Sequence, residues 1–210
     1  MKRIGVLAVQ GAFIEHCHRL KDMGFDAVEL RNHTDAAQDL DGLVLPGGES
    51  TVQSKLLNEL GMFDPLRAKI TDGTPVLGTC AGLILLAHKV ENGNGSGLER
   101  ATTTSRVPIT SFASLPVTVV RNAYGRQLGS FHATGVLHSS GSSGSSEEVS
   151  IPMTFIRAPH ISDIGDGVDT IASLADGTPV AVQYKNQIGI TFHPELDDDQ
   201  QLYSLFASML

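Results

Sequence analysis

The chain has 210 residues, a formal net charge of −8 and 41% hydrophobic residues. This size and composition predict one α/β domain, covering residues 1–210, that is large enough to bury a sizeable core. The acidic balance without a basic run argues against nucleic-acid binding, and no apolar run in the sequence is long enough for a membrane span. The two cysteines, Cys17 and Cys80, make no disulfide framework, which favours the reducing cytoplasm.

The first half of the sequence alternates strand and helix patterns. Continuous apolar runs predict buried strands, and apolar residues at helical spacing predict helices between them. The predicted strands cover residues 3–9, 27–30 and 42–45, with a fourth beginning near Pro75, and the predicted helices cover 12–23, 51–60 and 62–71. This alternation predicts a parallel sheet with helices on both faces. Ligands of such sheets bind beyond the carboxyl ends of the strands.

The fourth predicted strand leads into a tight turn around a cysteine. Gly78 and Gly82 flank Cys80, and an apolar helix follows. A strand, a turn with a nucleophile and a helix form the nucleophile elbow of hydrolases, and small neighbours let a substrate carbonyl approach the sulfur. The alternative interpretation is a buried structural cysteine at a strand end.

The second half of the sequence is dominated by short strand patterns. The predicted strands cover residues 116–121, 127–137, 154–157, 167–174, 179–184 and 187–192, before a last helix over 198–209. Residues 91–114 are rich in Gly, Ser, Thr and Asn, which predicts a long loop. Residues 139–150 are predicted to be a flexible Ser/Gly insertion because 139–146 contain only serine and glycine. An artificially added segment would have the same composition.

A cysteine nucleophile needs a base and a group that orients the base. His193 follows a predicted strand, so we expect it at the sheet edge that carries Cys80. Glu195 is two residues further on and, in an extended segment, can reach back to one ring nitrogen and leave the other for the cysteine. The alternative is a surface His-Pro-Glu turn without a role in chemistry.

An oxyanion hole needs backbone N–H groups directed at one point. The N–H of Ala81, directly after the cysteine, is one candidate. Gly48, in the Gly-rich turn of residues 46–49, is the other. A plain strand-to-helix turn with Ser50 or Thr51 as N-cap would explain the same residues.

The sequence predicts no metal and no cofactor. His16 and His18 suggest a metal site at first sight. Two residues apart on a helix, however, their side chains diverge, and no acidic or cysteine cluster completes a ligand set.

With Cys80, His193 and Glu195 in this chain order, the sequence resembles the class I glutamine amidotransferases. Further motifs, spread over nearly the whole chain, resemble the glutaminase subunits of pyridoxal 5′-phosphate synthases. These motifs are Leu7-Ala-Val-Gln-Gly-Ala12, Leu45-Pro-Gly-Gly-Glu-Ser-Thr51, Gly78-Thr-Cys-Ala-Gly-Leu83, Arg121-Asn-Ala-Tyr-Gly-Arg-Gln127, Phe155-Ile-Arg-Ala-Pro159 and Phe192-His-Pro-Glu-Leu196.

The resemblance implies a single-domain, three-layer, flavodoxin-like fold with a mostly parallel sheet flanked by helices. It implies hydrolysis of L-glutamine to glutamate and ammonia through a cysteine thioester. The ammonia would pass to a separate synthase subunit, in a large hetero-oligomer that makes pyridoxal 5′-phosphate. The residues that the resemblance places around the glutamine are Gly48, Glu49, Ser50, Arg121, Ile156 and Arg157. Gln10 is placed near the oxyanion region or the partner interface.

Two other functions fit parts of the sequence. One is another hydrolase of the same fold, such as a cysteine peptidase or a deglycase-like enzyme. The other is a non-catalytic subunit that uses the same surface only for docking. The long segments 93–115 and 139–146 depart from the family pattern. We expect neither to touch the triad, and two interpretations are open, an effect on partner docking or a disordered segment. We also expect weak glutaminase activity in the free subunit and activation by the synthase.

Overall fold

The computed structural model describes residues 1–92, 109–121, 130–140 and 146–210. The helices are α1 (Phe13–Asp22), α2 (His33–Ala37), α3 (Ser50–Glu59), α4 (Phe63–Thr71), α5 (Ala81–Leu86) and α6 (Gln201–Ala207), with a 3-10 helix over Pro194–Leu196. The strands are β1 (Arg3–Leu7), β2 (Asp26–Leu30), β3 (Gly42–Leu45), β4 (Val76–Thr79), β5 (Ala87–Asn92), β6 (Leu115–Arg121), β7 (Ser130–Ser140), β8 (Ser146–Ile156), β9 (His160–Ile164), β10 (Asp169–Leu174), β11 (Pro179–Tyr184) and β12 (Gln187–Ile190).

Among the described residues, the main sheet has nine strands in the order β2-β1-β3-β4-β12-β11-β10-β7-β8. Neighbours from β2 to β12 are parallel, and neighbours from β12 to β8 are antiparallel. The predicted parallel sheet with flanking helices is therefore confirmed, and the hairpins of the second half extend it as an antiparallel part. A smaller sheet has the order β5-β6-β9.

Apolar side chains cover both faces of the main sheet. On one face, Cys17 of α1 and Phe206 of α6 belong to one buried cluster with the strand residues. On the other face, Leu66 of α4, Leu85 of α5 and Val117 of the smaller sheet belong to a second cluster. The sheet thus lies between two layers, as the resemblance implied. Within the described ranges, no helix is long and apolar enough to cross a membrane.

In the ranges that the structure describes, four elements were not predicted from the sequence patterns, namely α2, β5, β9 and the 3-10 helix over Pro194–Leu196. The short helix α2 begins after Asn32, whose side chain accepts a hydrogen bond from the Asp35 N–H at 3.1 Å. Strand β5 starts directly after α5 and pairs with β6, where we expected the helix to run into a loop. Most of that expected loop, residues 93–108, lies outside the described residues. The last helix, α6, is shorter than predicted.

The structure differs from the predicted flexible insertion over residues 139–150. Strands β7 and β8 form a long hairpin whose pairs run from Ser130↔Ile156 to Ser140↔Ser146. Both ends of the expected insertion are thus strand, and residues 141–145 lie outside the described part of the chain. Strand pairing satisfies backbone N–H and C=O groups whatever the side chains are, so a serine-rich composition did not reveal it.

Candidate active site

The predicted site residues follow four parallel strands that are neighbours in the sheet. Gln10 lies beyond β1, Gly48 beyond β3, Cys80 directly after β4 and His193 beyond β12. Parallel strands end at the same edge of a sheet. The fold therefore brings these residues to one place, although they are far apart in the sequence.

Cys80 occupies a strained turn between β4 and α5. Its φ of 48° and ψ of −99° lie in a region that side-chain-bearing residues rarely adopt. The Cys80 N–H donates to the carbonyl of Ile190 at 2.7 Å, and a Cβ on Gly82 would lie 1.9 Å from the Leu45 carbonyl oxygen. The turn is thus fixed against β12 and β3. Strain held in place by such packing is typical of functional turns.

His193 and Glu195 form a buried hydrogen-bonded pair. Nδ1 of His193 lies 2.7 Å from Oε1 of Glu195, and the two residues are 6% and 4% exposed. The segment is a 3-10 turn rather than the extended segment assumed in the sequence analysis, yet the two side chains still meet. The His193 N–H donates to the Thr154 carbonyl at 2.8 Å, which fixes the backbone of the pair.

The electrostatics of this pair favour a charged imidazolium and a charged carboxylate. Burial opposes the charged form of His193, but the neighbouring Cys80 and Glu195 outweigh burial and raise the pKa of His193 to about 10. Burial likewise opposes the charged form of Glu195, but His16 and His193 outweigh it and lower the pKa of Glu195 below its ordinary value. The site therefore holds a proton on His193 at neutral pH.

The second nitrogen of His193, Nε2, is the one left for Cys80. Within the described residues this buried atom has no well-aligned hydrogen-bond partner, yet the Cys80 side chain lies close enough to raise the pKa of His193, first by hydrogen bonding and then by charge. Sγ of Cys80 lies 3.8 Å from the Ile156 carbonyl oxygen. The sulfur thus lies between the imidazole and the end of β8. Hydrogen bonds of this kind are often poorly aligned before substrate binds.

The glycine turn after β3 lies directly against the imidazole. A Cβ on Gly47 would lie 2.3 Å from Cε1 of His193, so no larger residue fits without movement. The Gly47 N–H donates to Oγ1 of Thr79 at 3.0 Å, and the Gly47 carbonyl accepts from the Ala12 N–H at 3.0 Å. Thr79, at the end of β4, and Ala12, beyond β1, therefore hold Gly47 from both sides.

The hydrogen bond from the Ala12 N–H to the Gly47 carbonyl also sets the direction of the Gly48 N–H. Ala12 lies beyond β1, on one side of β3, whereas β4 and Cys80 lie on the other side. In a trans peptide the C=O and N–H point in opposite directions, so the Gly48 N–H is directed toward the Cys80 side. Gln10 supports the same turn, since its Oε1 accepts from the Glu49 N–H at 2.7 Å.

Glu49, and not Ser50 or Thr51, is the N-cap of α3. Its carboxylate accepts from the N–H groups of Thr51 at 3.2 Å and Val52 at 2.7 Å. These bonds outweigh its partial burial and lower the pKa of Glu49. The N-cap assumed in the alternative interpretation of this turn is therefore wrong. A glutamate can fold back over the first turn, although Ser and Thr are preferred there.

Arg121 joins the smaller sheet to this helix start. Its Nη2 donates to Oε1 of Glu49 and to Oγ1 of Thr51, both at 3.1 Å. Ser50 is buried at the first position of α3. Ile156 and Arg157 are exposed at the end of β8, and Arg157 has a φ of 46°. The residues that the resemblance placed around glutamine thus lie on or beside the sheet edge that carries Cys80. Arg157 is included because it directly follows Ile156.

The sequence analysis missed four buried polar residues around the site. His16 lies within 3.4 Å of Oε2 of Glu195, and Thr79 binds the glycine turn. Tyr203 binds His16, and Gln53 donates to the Gln10 and Pro46 carbonyls. His16 had a detectable signal, because it shares the apolar face of α1 with Leu20 four residues later. From the sequence, His16 was considered only as a possible metal ligand.

The histidines and carboxylates do not assemble into a metal site in the described part of the chain. No group of three or more His, Cys, Asp or Glu there is placed to hold a metal ion. His16 is buried, whereas His18 is exposed on the same helix.

Known proteins are similar to this chain over nearly its whole length. The model of the SNO glutamine amidotransferase family matches residues 6–210. The chain is 52% identical over 208 residues to "Pyridoxal 5′-phosphate synthase subunit PdxT" of Desulfitobacterium hafniense (strain Y51), covering 99% of this chain and 93% of the relative. It is 48% identical to the protein of the same name from Methanocorpusculum labreanum, covering 99% and 97%.

A solved structure described as a glutamine amidotransferase is also similar. It shares 35% sequence identity and a TM-score of 0.79, covering 98% of this chain and 97% of that one. The family match agrees with two features of the site, namely the strand-to-helix turn with Cys80 and the buried His193–Glu195 pair. The chain belongs to the SNO glutamine amidotransferase family.

Proposed function

We propose that the chain hydrolyses L-glutamine to L-glutamate and ammonia, and delivers the ammonia to a pyridoxal 5′-phosphate synthase subunit for vitamin B6 biosynthesis. The observation that carries the chemistry is Cys80 on a strained turn beside the buried His193–Glu195 pair. The relatives named as pyridoxal 5′-phosphate synthase subunits support the partner and the pathway.

In the proposed reaction, Cys80 is the nucleophile and His193 moves the protons. The Cys80 proton resides on His193, and the sulfur attacks the side-chain amide carbon of glutamine. The C–N bond breaks as His193 gives its proton to the leaving nitrogen, which departs as ammonia. Water then attacks the thioester with His193 as base, and glutamate leaves while Cys80 regains its proton.

Glu195 orients the base in this mechanism. Its bond to Nδ1 of His193 fixes the ring so that Nε2 faces the sulfur, and its charge stabilises the imidazolium. The pKa of about 10 for His193 supports this role, because a lone buried imidazole would lose its proton far more easily.

The N–H groups of Gly48 and Ala81 form the proposed oxyanion hole. Ala81 opens α5, so its N–H has no acceptor within the helix. The Gly48 N–H is directed to the same side by the bond between Ala12 and the Gly47 carbonyl. Gln10 supports this turn through Glu49. Two donors aimed at a developing oxyanion contribute strongly to acyl transfer.

The α-carboxylate and α-amine of glutamine are proposed to be fixed by Gly48, Glu49, Ser50, Arg121, Ile156 and Arg157. Arg121 offers a guanidinium and Glu49 a carboxylate, and they lie 3.1 Å apart beside the glycine turn. Such charged groups suit the two ends of an amino acid.

We place the enzyme in the cytoplasm, which is consistent with two free cysteines.

The test is ammonia release from L-glutamine by the wild type, Cys80→Ala and Cys17→Ala, each with and without the synthase subunit. We expect Cys80→Ala to lose at least about 10³-fold in rate, and Cys17→Ala, the matched free cysteine in the core, to keep its activity. Full activity of Cys80→Ala would refute the mechanism. Cleavage of peptides in place of glutamine would favour a peptidase, and inactivity of every sample with the synthase would favour a docking subunit.

A further inference from the structure

The side chain of His16 makes three polar contacts beneath the proposed active site, although the proposed mechanism does not use it. It is 0% exposed. Its Nδ1 lies 2.7 Å from the Tyr203 hydroxyl. Its Nε2 lies 3.1 Å from Oγ1 of Thr79 and 3.4 Å from Oε2 of Glu195. A buried imidazole with partners on both nitrogens is held in one orientation.

The surroundings of His16 determine its charge. Burial is the largest effect and lowers the pKa of His16, Glu195 opposes it, and the positive His193 nearby lowers it further. The ring is therefore neutral at pH 7 and carries one N–H. Burial also keeps the Tyr203 hydroxyl protonated, because it raises the pKa of Tyr203 well above its ordinary value.

The partners then select the tautomer. A carboxylate only accepts hydrogen bonds. Oε2 of Glu195 lies 3.4 Å from Nε2 of His16 and has no hydrogen-bond partner of good geometry within the described residues. The proton of His16 is therefore on Nε2, directed at Glu195 and Thr79. The remaining nitrogen, Nδ1, accepts from the Tyr203 O–H. The contact between His16 and Glu195 is thus the approach of a neutral ring's N–H to a carboxylate oxygen 3.4 Å away, and it becomes an ion pair only when His16 is protonated.

Thr79 extends these contacts to the glycine turn. Its Oγ1 accepts from the Gly47 N–H at 3.0 Å as well as lying beside His16. The same imidazole therefore contacts the oxygen of Glu195 that His193 leaves unused and the hydroxyl that holds the proposed oxyanion turn. Oε2 is buried without a hydrogen bond of good geometry, so a donor as near as Nε2 of His16 offsets part of the cost of burying it.

We propose that His16 is a positioning residue that holds Glu195 in the orientation required by His193 and couples it, through Thr79, to the Gly47 turn. Tyr203 in turn fixes the tautomer of His16. This inference rests on the proposed glutaminase function. It assigns to His16 no contact with substrate and no proton transfer in the reaction.

The first test compares Tyr203→Phe and His16→Gln with the control His18→Gln, using ammonia release in the presence of the synthase. His18 is exposed on the same helix. Because hydrogen bonds to charged groups are among the stronger ones, we expect kcat to fall about 10-fold in both site variants. KM should change less than about 2-fold, since neither residue is proposed to touch glutamine. Unchanged kcat in both would overturn the proposal.

The second test asks whether His16 acts through Glu195. His16→Gln is introduced into the wild type and into Glu195→Gln, and the fold-loss in kcat is compared. We expect the loss to disappear in the Glu195→Gln background. An equal fold-loss in both backgrounds would show an independent effect and overturn the proposal. Tyr203→Phe removes a single oxygen, so it supplies the same comparison if His16→Gln does not fold.

A third measurement does not depend on turnover. The proton between Nδ1 of His193 and Glu195 is expected as a low-field NMR signal in the wild type and in His18→Gln. We expect Tyr203→Phe and His16→Gln to shift or broaden it, and an unchanged signal would contradict the proposed positioning. If the wild type with synthase releases no ammonia, the glutaminase function fails, whereas this signal still decides the role of His16.

Discussion

The two halves of the main sheet contribute differently to the site. The parallel strands β1, β3, β4 and β12 all end in segments that hold proposed catalytic groups, among them Cys80 and His193. The antiparallel part contributes the Ile156 carbonyl beside the sulfur and the Thr154 carbonyl that fixes His193. Parallel strands present all their carboxyl ends at one edge, while antiparallel strands alternate.

The groups around the site also differ in burial. His193 and Glu195 are 6% and 4% exposed, whereas Ile156 is 38% exposed. A buried, tightly packed group holds a fixed geometry for proton transfer, and an exposed one can adapt to a ligand or a partner. We therefore expect substitutions in the parallel half to lower kcat, and substitutions outside it to change KM or the response to the synthase.

The largest effect in this comparison is expected for Glu195→Gln. The amide keeps the shape but loses the charge that stabilises the His193 imidazolium, and its NH₂ group can force the wrong tautomer. We expect kcat to fall roughly 10³- to 10⁴-fold, as for the equivalent change in serine proteases. The control is Asp198→Asn, the same chemical change on a fully exposed side chain three residues away. Similar rates for both variants would contradict the assignment.

The second effect tests the packing of the glycine turn. In Gly47→Ala the new methyl group would lie 2.3 Å from Cε1 of His193, so the ring or the turn must move. Displacements of about 1 Å can cost 10²-fold in rate, and we expect a kcat loss of that order. Gly177→Ala is the control in the antiparallel part, because its φ is +83° but no atom lies within 4 Å of the new Cβ. It should lower the melting temperature and leave kcat unchanged.

The division of the main sheet into a parallel and an antiparallel part also explains how much of the fold could be predicted from the sequence. The parallel half was readable because its strands are continuous apolar runs separated by helices, as in β3 and α3. The hairpin of β7 and β8 was predicted only in part, as strands over 127–137 and 154–157, because its serine-rich end has no apolar alternation. Strand β5 was missed since the apolar pattern of α5 runs into it without a break, and the change to strand comes from pairing with β6.

Within the site, sequence reasoning found the residues that stand directly after strands. Cys80, His193 and Gly48 are marked by their position and by small or polar neighbours. His16 and Tyr203 were missed because they lie within helices, on faces that otherwise carry apolar residues. Only the fold shows that Tyr203 of α6 contacts His16 of α1, which in turn lies beside Glu195.

The pKa of His193 provides a test of the charges in the parallel half. Its folded value of about 10 lies above the ordinary 6.5, so this group stabilises the fold fully below about pH 6.5 and loses that contribution as pH rises through 10. In Cys80→Ala the side chain that contributes most to raising the pKa of His193 is absent, and we expect the NMR titration midpoint of His193 to move down toward its ordinary value. Cys17→Ala should leave it unchanged. An unaltered midpoint in Cys80→Ala would show that Cys80 does not stabilise the imidazolium.

A smaller effect is expected for Arg121, which reaches the site from the smaller sheet. Its side chain is 17% exposed and bonds to Glu49. If Arg121 fixes a charged end of glutamine, Arg121→Ala should raise KM roughly 10-fold with little change in kcat. Arg31→Ala, an exposed arginine paired with Glu29, is the control. A fall in kcat at constant KM would instead show that Arg121 acts on the turn after β3.

The smallest effect is expected at the far end of the β7–β8 hairpin. The last pair, Ser140↔Ser146, lies ten residues along β8 from Ile156, which is about 33 Å in a strand. Replacing residues 141–145 by Asn-Gly, a two-residue hairpin turn, should therefore change kcat and KM for glutamine less than about 2-fold in the free subunit. The informative measurement is the same assay with the synthase present. A lower activity only in that assay would assign the hairpin end to partner docking, while a lower activity of the free subunit would contradict the separation of the two halves.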